Sequence, residues 1–291
     1  MRLKKVMPVF IAVAIILIGA VLAFAVYFVN RQSICYEKIS NQSVNVSKEE
    51  AKNSSPIIIN NILLGARYKN KFVSADKFFD NSPKNTVKIS TFIEGGKTGA
   101  YDVNGYKKNP DGHGEIFVET TYKNFKSEFI AVTGEAEEIM QRKIDEEEIT
   151  KEAEEIVKKN LNKLLVPNKT VNVRKVYECE LTEGVKGNII VATSKKDREK
   201  GVYSTVIYVE NGKSSIVKLN YIKDVNKSAT WPIYNVKFVC DLNSDDKYEI
   251  VLEEVTEFDV KYSVMEKRGN KFTEVLSTKS EVKTEKESVK K

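Results

Sequence analysis

The residues that most hydrolytic and metal-dependent enzymes rely on are scarce in this sequence. It has one histidine, His113, and three cysteines, Cys35, Cys179 and Cys240. One histidine cannot supply the His-Glu-x-x-His pair of a zinc protease, and no Gly-x-Ser-x-Gly marks an activated serine. His113 sits in Asn109-Pro-Asp-Gly-His-Gly114, where Pro-Asp-Gly is turn chemistry, so a solvated turn is its expected place. A phosphate loop is absent as well. Gly95-Gly-Lys-Thr-Gly99 contains Gly-Lys-Thr, but Thr91 stands where the motif needs its first glycine, and Ala100–Val103 reads as strand rather than helix. Charge of one sign is also lacking. The 47 basic and 41 acidic side chains are interspersed, for a net +6, which argues against a dedicated nucleic-acid surface.

A long apolar run occurs once. Val6–Val29 carries no charge and follows Arg2, Lys4 and Lys5. A bilayer core of about 30 Å needs about 20 apolar helical residues. The run therefore predicts a transmembrane helix at 6–29 after a basic cytoplasmic start at 1–5, with the rest of the chain extracytoplasmic. A cleaved signal peptide is the alternative, since Ala23-Phe-Ala25 has small-x-small spacing, but the run outlasts a usual signal core. Residues 30–55 are polar and read as a linker.

From Pro56 the pattern is short strands. Ile57–Ile59, Ile62–Leu64, Lys71–Ser74, Thr86–Phe92, Ile116–Thr120 and Phe129–Val132 are separated by Gly, Asn and Pro. Residues 56–134 are therefore expected to form a small β barrel or sandwich, with Phe78 and Phe79 on a short helix or turn that plugs one end. Residues 135–166 are expected to form a long amphipathic helix. Asp145 and Glu148 resemble a capping box, Ile149, Ala153, Val157 and Leu161 recur at helical spacing, and Pro167 ends the run. The acidic cluster at its start reads as a solvated helix face.

Residues 169–276 read as β structure that repeats itself. Cys179-Glu-Leu-Thr-Glu-Gly-Val-Lys-Gly-Asn-Ile-Ile-Val191 aligns with Cys240-Asp-Leu-Asn-Ser-Asp-Asp-Lys-Tyr-Glu-Ile-Val-Leu252 at an offset of 61, and Tyr177 falls on Phe238. Further on, Gly212-Lys213 runs parallel to Asn270-Lys271 at an offset of 58. Each unit is expected as strand, loop, strand and a hairpin closed by Asn-Gly or Gly-Asn. Cys179 and Cys240 occupy equivalent places, so they either form a disulfide between neighbouring strands or remain two buried thiols. The charged tail at 277–291 is expected to be disordered.

The second unit's loop carries the one candidate ligand set. Asp241, Asn243 and Asp245 place side-chain oxygens at positions 1, 3 and 5, Lys247 a backbone carbonyl at 7, and Glu249 a carboxylate at 9. This spacing resembles the loop of integrin-type FG-GAP (VCBS-like) repeats. That resemblance implies calcium at these five residues and a propeller-blade unit. Asp246 departs from the glycine usual at position 6, Leu252 stands at position 12, and the first unit offers only Glu180, Thr182, Gly184 and Asn188. The loop either holds calcium or is an empty acidic turn. Two units are too few for a propeller, so a two-unit antiparallel sandwich or open sheet is expected, and an α+β class for the whole chain.

The expected function is a single-pass, membrane-anchored extracytoplasmic binding or sensor protein of unknown ligand, with calcium as the one cofactor and no nucleic-acid partner. A structural subunit of an envelope assembly is the alternative. A surface hydrolase using paired carboxylates ranks third.

Overall fold

A computed structural model describes residues 47–81, 87–93, 96–109, 115–120, 128–132, 144–166, 171–194, 201–222, 231–257 and 259–278. They form three antiparallel sheets and three short helices.

The first sheet contains β1 (Ser55–Ile59), β2 (Ile62–Tyr68), β3 (Lys71–Ser74), β4 (Val87–Ile93), β5 (Gly96–Lys108), β6 (Ile116–Thr120) and β7 (Ile130–Val132). Its order is β1-β7-β4-β5-β6-β2-β3, and β1 also pairs with β2, so the sheet closes on itself. The β1–β2 turn is Asn60-Asn61, both in the left-handed region at φ 47 and 65, which asparagine tolerates better than most residues. Two helices, α1 (Lys48–Lys52) and α2 (Ala75–Asn81), pack on this unit. Phe78 of α2 and Ala51 of α1 join Ile58, Leu63, Ile116 and Val118 in one core. Ser47 and Glu50 form a complete capping box, so α1 begins within the stretch read as linker.

Each of the two aligned segments folds as a four-stranded meander. The first comprises β9 (Val171–Thr182), β10 (Val185–Ser194), β11 (Val202–Glu210) and β12 (Lys213–Ile222), extended by β8 (Asp145–Glu147) into a sheet of order β12-β11-β10-β9-β8. The second comprises β13 (Ile233–Cys240), β14 (Glu249–Val255), β15 (Val260–Arg268) and β16 (Lys271–Ser277), in that order. Asn211-Gly212 and Gly269-Asn270 make the matching β11–β12 and β15–β16 turns.

The β13–β16 sheet lies between the other two. Val251, Val264 and Leu276 face Ile57, Leu64 and Ile130 of the first sheet. Ile250, Leu252 and Met265 face Ile189, Val191 and Val206 of the β8–β12 sheet. Burial on both faces explains why Ile250-Val251-Leu252 is an unbroken apolar run rather than an alternating one. The outer face of the β8–β12 sheet is covered by α3 (Lys151–Lys163), through Ala153, Val157 and Leu161.

Three expectations are corrected. The architecture of the described residues is mostly β, not α+β. The long amphipathic helix is instead the 13-residue α3. Asp145–Glu147 joins the sheet edge as β8, and Thr150 is the N-cap, its hydroxyl accepting from the Ala153 N–H. Ile149, assigned to the buried stripe, is 51% exposed. The single-pass membrane expectation, and with it the location that places the C-terminal part outside the cytoplasm, is corrected too. Among the described residues no helix is long and apolar enough to cross a membrane. Residues 6–29, on which it rested, lie outside the described residues, as do Cys35, His113 and most of the 277–291 tail.

Cys179 and Cys240 are both free and buried. The units pack face to face, so Cys179 points into the core shared with the β8–β12 sheet and Cys240 into the core on the other side of the central sheet.

Candidate functional site

The two units differ most in the connection between their first two strands. In the first unit the β9–β10 ladder runs to Thr182↔Val185, and Gly184, at φ 72, completes a tight hairpin. In the second unit the β13–β14 ladder stops at Cys240↔Glu249, which leaves residues 241–248 as an open loop. Glu180 of the first unit only accepts from the Gly184 N–H, so no counterpart of the loop exists there.

The loop is built on its own short polar side chains. Asp241 Oδ1 accepts from the Asp245 N–H at 3.2 Å, and Oδ2 from the Asp246 N–H at 2.9 Å. Asn243 Oδ1 shares the Asp245 N–H at 3.2 Å. Asp245 Oδ1 accepts from the Lys247 N–H at 3.1 Å, and its Oδ2 pairs with the Lys247 ammonium at 3.2 Å. Such side-chain-to-backbone bonds are what Asp and Asn offer a turn. Ser244 and Asp246 take positive φ of 56 and 63, so the turn usually made by glycine at position 6 forms here with aspartate. Leu242 and Tyr248, both buried, anchor the two ends in the opposite cores.

Glu249 is the unusual residue. It is 0% exposed, and its Oε2 accepts from the Leu242 N–H at 2.8 Å. Its Oε1 has no hydrogen-bond partner. Burial pushes its carboxyl well above the usual range; the Leu242 N–H opposes this, while Asp241, Asp245 and Glu266 push it further up. Asp241, 6% exposed, is raised chiefly by burial against the opposing pull of the Asp246, Asp245 and Ser244 N–H groups.

The five expected ligand residues are thus contiguous in one loop, with Asp241, Asn243 and Glu249 buried, Asp245 half-buried and Lys247 exposed. Among the described residues no three His, Cys, Asp or Glu side chains form a metal-holding group by themselves. Any cation here draws on the Asn243 amide oxygen and backbone carbonyls as well as carboxylates.

Sequence reasoning missed Arg67. It lies on β2 between β1 and β3, opposite Ser55 and Phe72, and is 8% exposed. Its guanidinium donates to Ser244 Oγ of the loop. Arg67, Tyr68 and Lys69 form one wall of a cavity of about 520 Å³, and Asp241, Ser244 and Asp246 form part of the other. Nothing in the local pattern of Ile62–Tyr68 separates Arg67 from an ordinary strand residue, because the contact joins residues 177 apart in sequence.

Comparison of the chain with protein-family models, with curated proteins and with solved structures finds no match.

Proposed function

We propose that the chain is a binding module whose 241–249 loop takes one calcium ion. In this reading Asp241, Asn243, Asp245 and Glu249 supply side-chain oxygens and Lys247 its backbone carbonyl. Calcium takes six to eight oxygen ligands in flexible geometry, which suits a mixed set of carboxylates, an amide and carbonyls. The observation that carries the reading is Glu249. A fully buried carboxyl with one oxygen unpartnered, beside two further carboxylates, is costly in an empty loop and is neutralised by a cation. Binding requires the Asp241, Asp245 and Glu249 carboxylates, which do not converge as a three-carboxylate group in the structure, to close around the ion, with Asp245 exchanging the Lys247 ammonium for it.

A catalytic reading of the same carboxylates is disfavoured. Glu249 is wholly enclosed, so no substrate reaches the group whose proton affinity is raised.

The test is a melting curve of the full-length chain in calcium and in excess chelator. A ligand held only by the folded state adds about 2.7 kcal/mol at a hundredfold excess over Kd. Asp241→Ala is a poor control, since Asp241 holds the loop's own N–H groups. Asp245→Asn keeps the acceptor for the Lys247 N–H and removes one ligand charge. A rise in melting temperature with calcium, lost in Asp245→Asn, supports the reading. Identical curves in calcium and chelator sink it.

A further inference from the structure

The cavity beside the loop is lined almost wholly by polar side chains. It opens where four stretches of chain meet: the C-cap of α1 at Asn53, the start of β1 at Ser55, the β2–β3 turn at Asn70, and the second unit's loop at Ser244 and Asp246. Among the described residues no aliphatic side chain lines it, and Tyr68 is its one aromatic. Such a lining has little to offer an apolar ligand.

The charges around it are already matched. Arg67 is buried and bonded to Ser244 Oγ. Both Asp241 oxygens accept backbone N–H groups, and Asp245 pairs with the Lys247 ammonium. Glu249 is enclosed, and burial favours its protonated form. Lys69 and Asp246 remain, both exposed and of opposite sign. Neither an anion nor a cation meets an excess of countercharge here. The amides of Asn53 and Asn70 and the carboxylate of Asp246 hold no hydrogen bond or ion pair among the described residues.

We propose that this cavity binds a neutral saccharide, seated between Asn53, Asn70 and Asp246. An amide presents a donor edge and an acceptor edge, and a carboxylate two acceptors. Neighbouring sugar hydroxyls, which donate and accept at once, match both. Tyr68, half-buried, gives the C–H face of a sugar ring its apolar contact, and a bound ring takes the place of the exposed Lys69 ammonium, which stands 5.6 Å from the ring centre. A volume of about 520 Å³ is in the range of small-ligand pockets. None of these side chains is among the five calcium ligands proposed above. The inference therefore rests on the binding-module reading and not on its ion, because an uncharged ligand is neither drawn nor repelled by the loop's net charge.

Saturation-transfer NMR of the full-length chain with glucose, mannose and N-acetylglucosamine, in calcium and in chelator, tests this. At least one sugar should bind saturably under both conditions. Its dissociation constant should rise about fivefold or more in Asn70→Ala and in Asp246→Gly. Both residues are exposed, and glycine suits the positive φ at Asp246, so both variants fold. Affinity unchanged in either variant places the sugar elsewhere and overturns the inference. Binding seen only in calcium also overturns it. Binding of none of the three sugars overturns it and leaves the calcium reading to its own melting curve.

Discussion

Leu242 and Glu249 close the second unit's loop: the Leu242 N–H donates to Glu249 Oε2 at 2.8 Å, across the mouth of residues 241–248. The bond satisfies one carboxyl oxygen and leaves the other buried without a partner. This arrangement makes the loop sensitive to pH when no cation is present.

Burial raises the Glu249 carboxyl above its unfolded value of 4.5, so the folded chain holds this proton more tightly than the unfolded one. The contribution to stability is complete below about 4.5 and is lost as pH rises towards the folded value. Glu249→Gln removes the titration and retains an acceptor for Leu242. In chelator, the variant should gain on the parent as pH rises from acid to neutral, by on the order of 1–3 kcal/mol. Denaturant midpoints measured at several pH values check this, and parallel curves for the two proteins would contradict it.

Asp246 at φ 63 occupies the left-handed region, where a β-carbon carries a cost. Asp246→Gly should leave stability unchanged or raise it by up to about 1 kcal/mol, whereas Asp246→Val should lower it by more than that. The pair of variants reads the loop geometry in chelator, independently of calcium. Equal melting temperatures for the two would show that the turn is not left-handed.

Lys218 on β12, half-buried, and Glu274 on β16, buried, form an ion pair between the β8–β12 and β13–β16 sheets, with Lys261 at 3.8 Å from the same carboxyl. Burial acts to raise Glu274, but the two lysines outweigh it and hold the carboxyl below its usual value. Its stabilising contribution is therefore present above the unfolded value and is lost as pH falls through the folded one. Lys218→Ala strands most of that charge and should cost about 3 kcal/mol at neutral pH. The joint variant Lys218→Met, Glu274→Leu should recover much of the loss. Chemical denaturation of both decides it: equal losses would mean the pair, not the stranded charge, carries the energy.

Cys179 and Cys240 face different cores, and burial pushes the Cys179 thiol up to about 12 and Cys240 well above its usual value. In a Cys35→Ser background no thiol should react with an aromatic disulfide reagent under native conditions, and two should react after unfolding. A reductant should leave the melting temperature unchanged. Loss of stability on reduction would establish the disulfide that this packing excludes.

Strands are legible in the sequence where short runs of β-branched and aromatic residues are bounded by turn residues. Lys71–Ser74 and Ile116–Thr120 read as strands and are strands. The repeat is legible because Cys179 and Cys240 recur at an offset of 61 and the two Asn and Gly turns at an offset of 58, three residues shorter. What failed depends on contacts distant in sequence. Asp145–Glu147 has no strand propensity of its own and is recruited by pairing with Glu178–Val176. The face-to-face stacking that separates the cysteines leaves no mark on the residues around them. Asp241, Asn243, Asp245 and Glu249 are legible as one loop because their spacing is local. Arg67, which touches the same loop, is not.

The central claim is that this loop binds calcium, and the most direct measurement is the number of calcium ions bound per full-length chain at equilibrium dialysis. The account predicts one ion per chain at saturation, with affinity weakened roughly tenfold or more in Asp245→Asn and in Glu249→Gln. A chain that retains no calcium, or binds it equally well in both variants, contradicts the account.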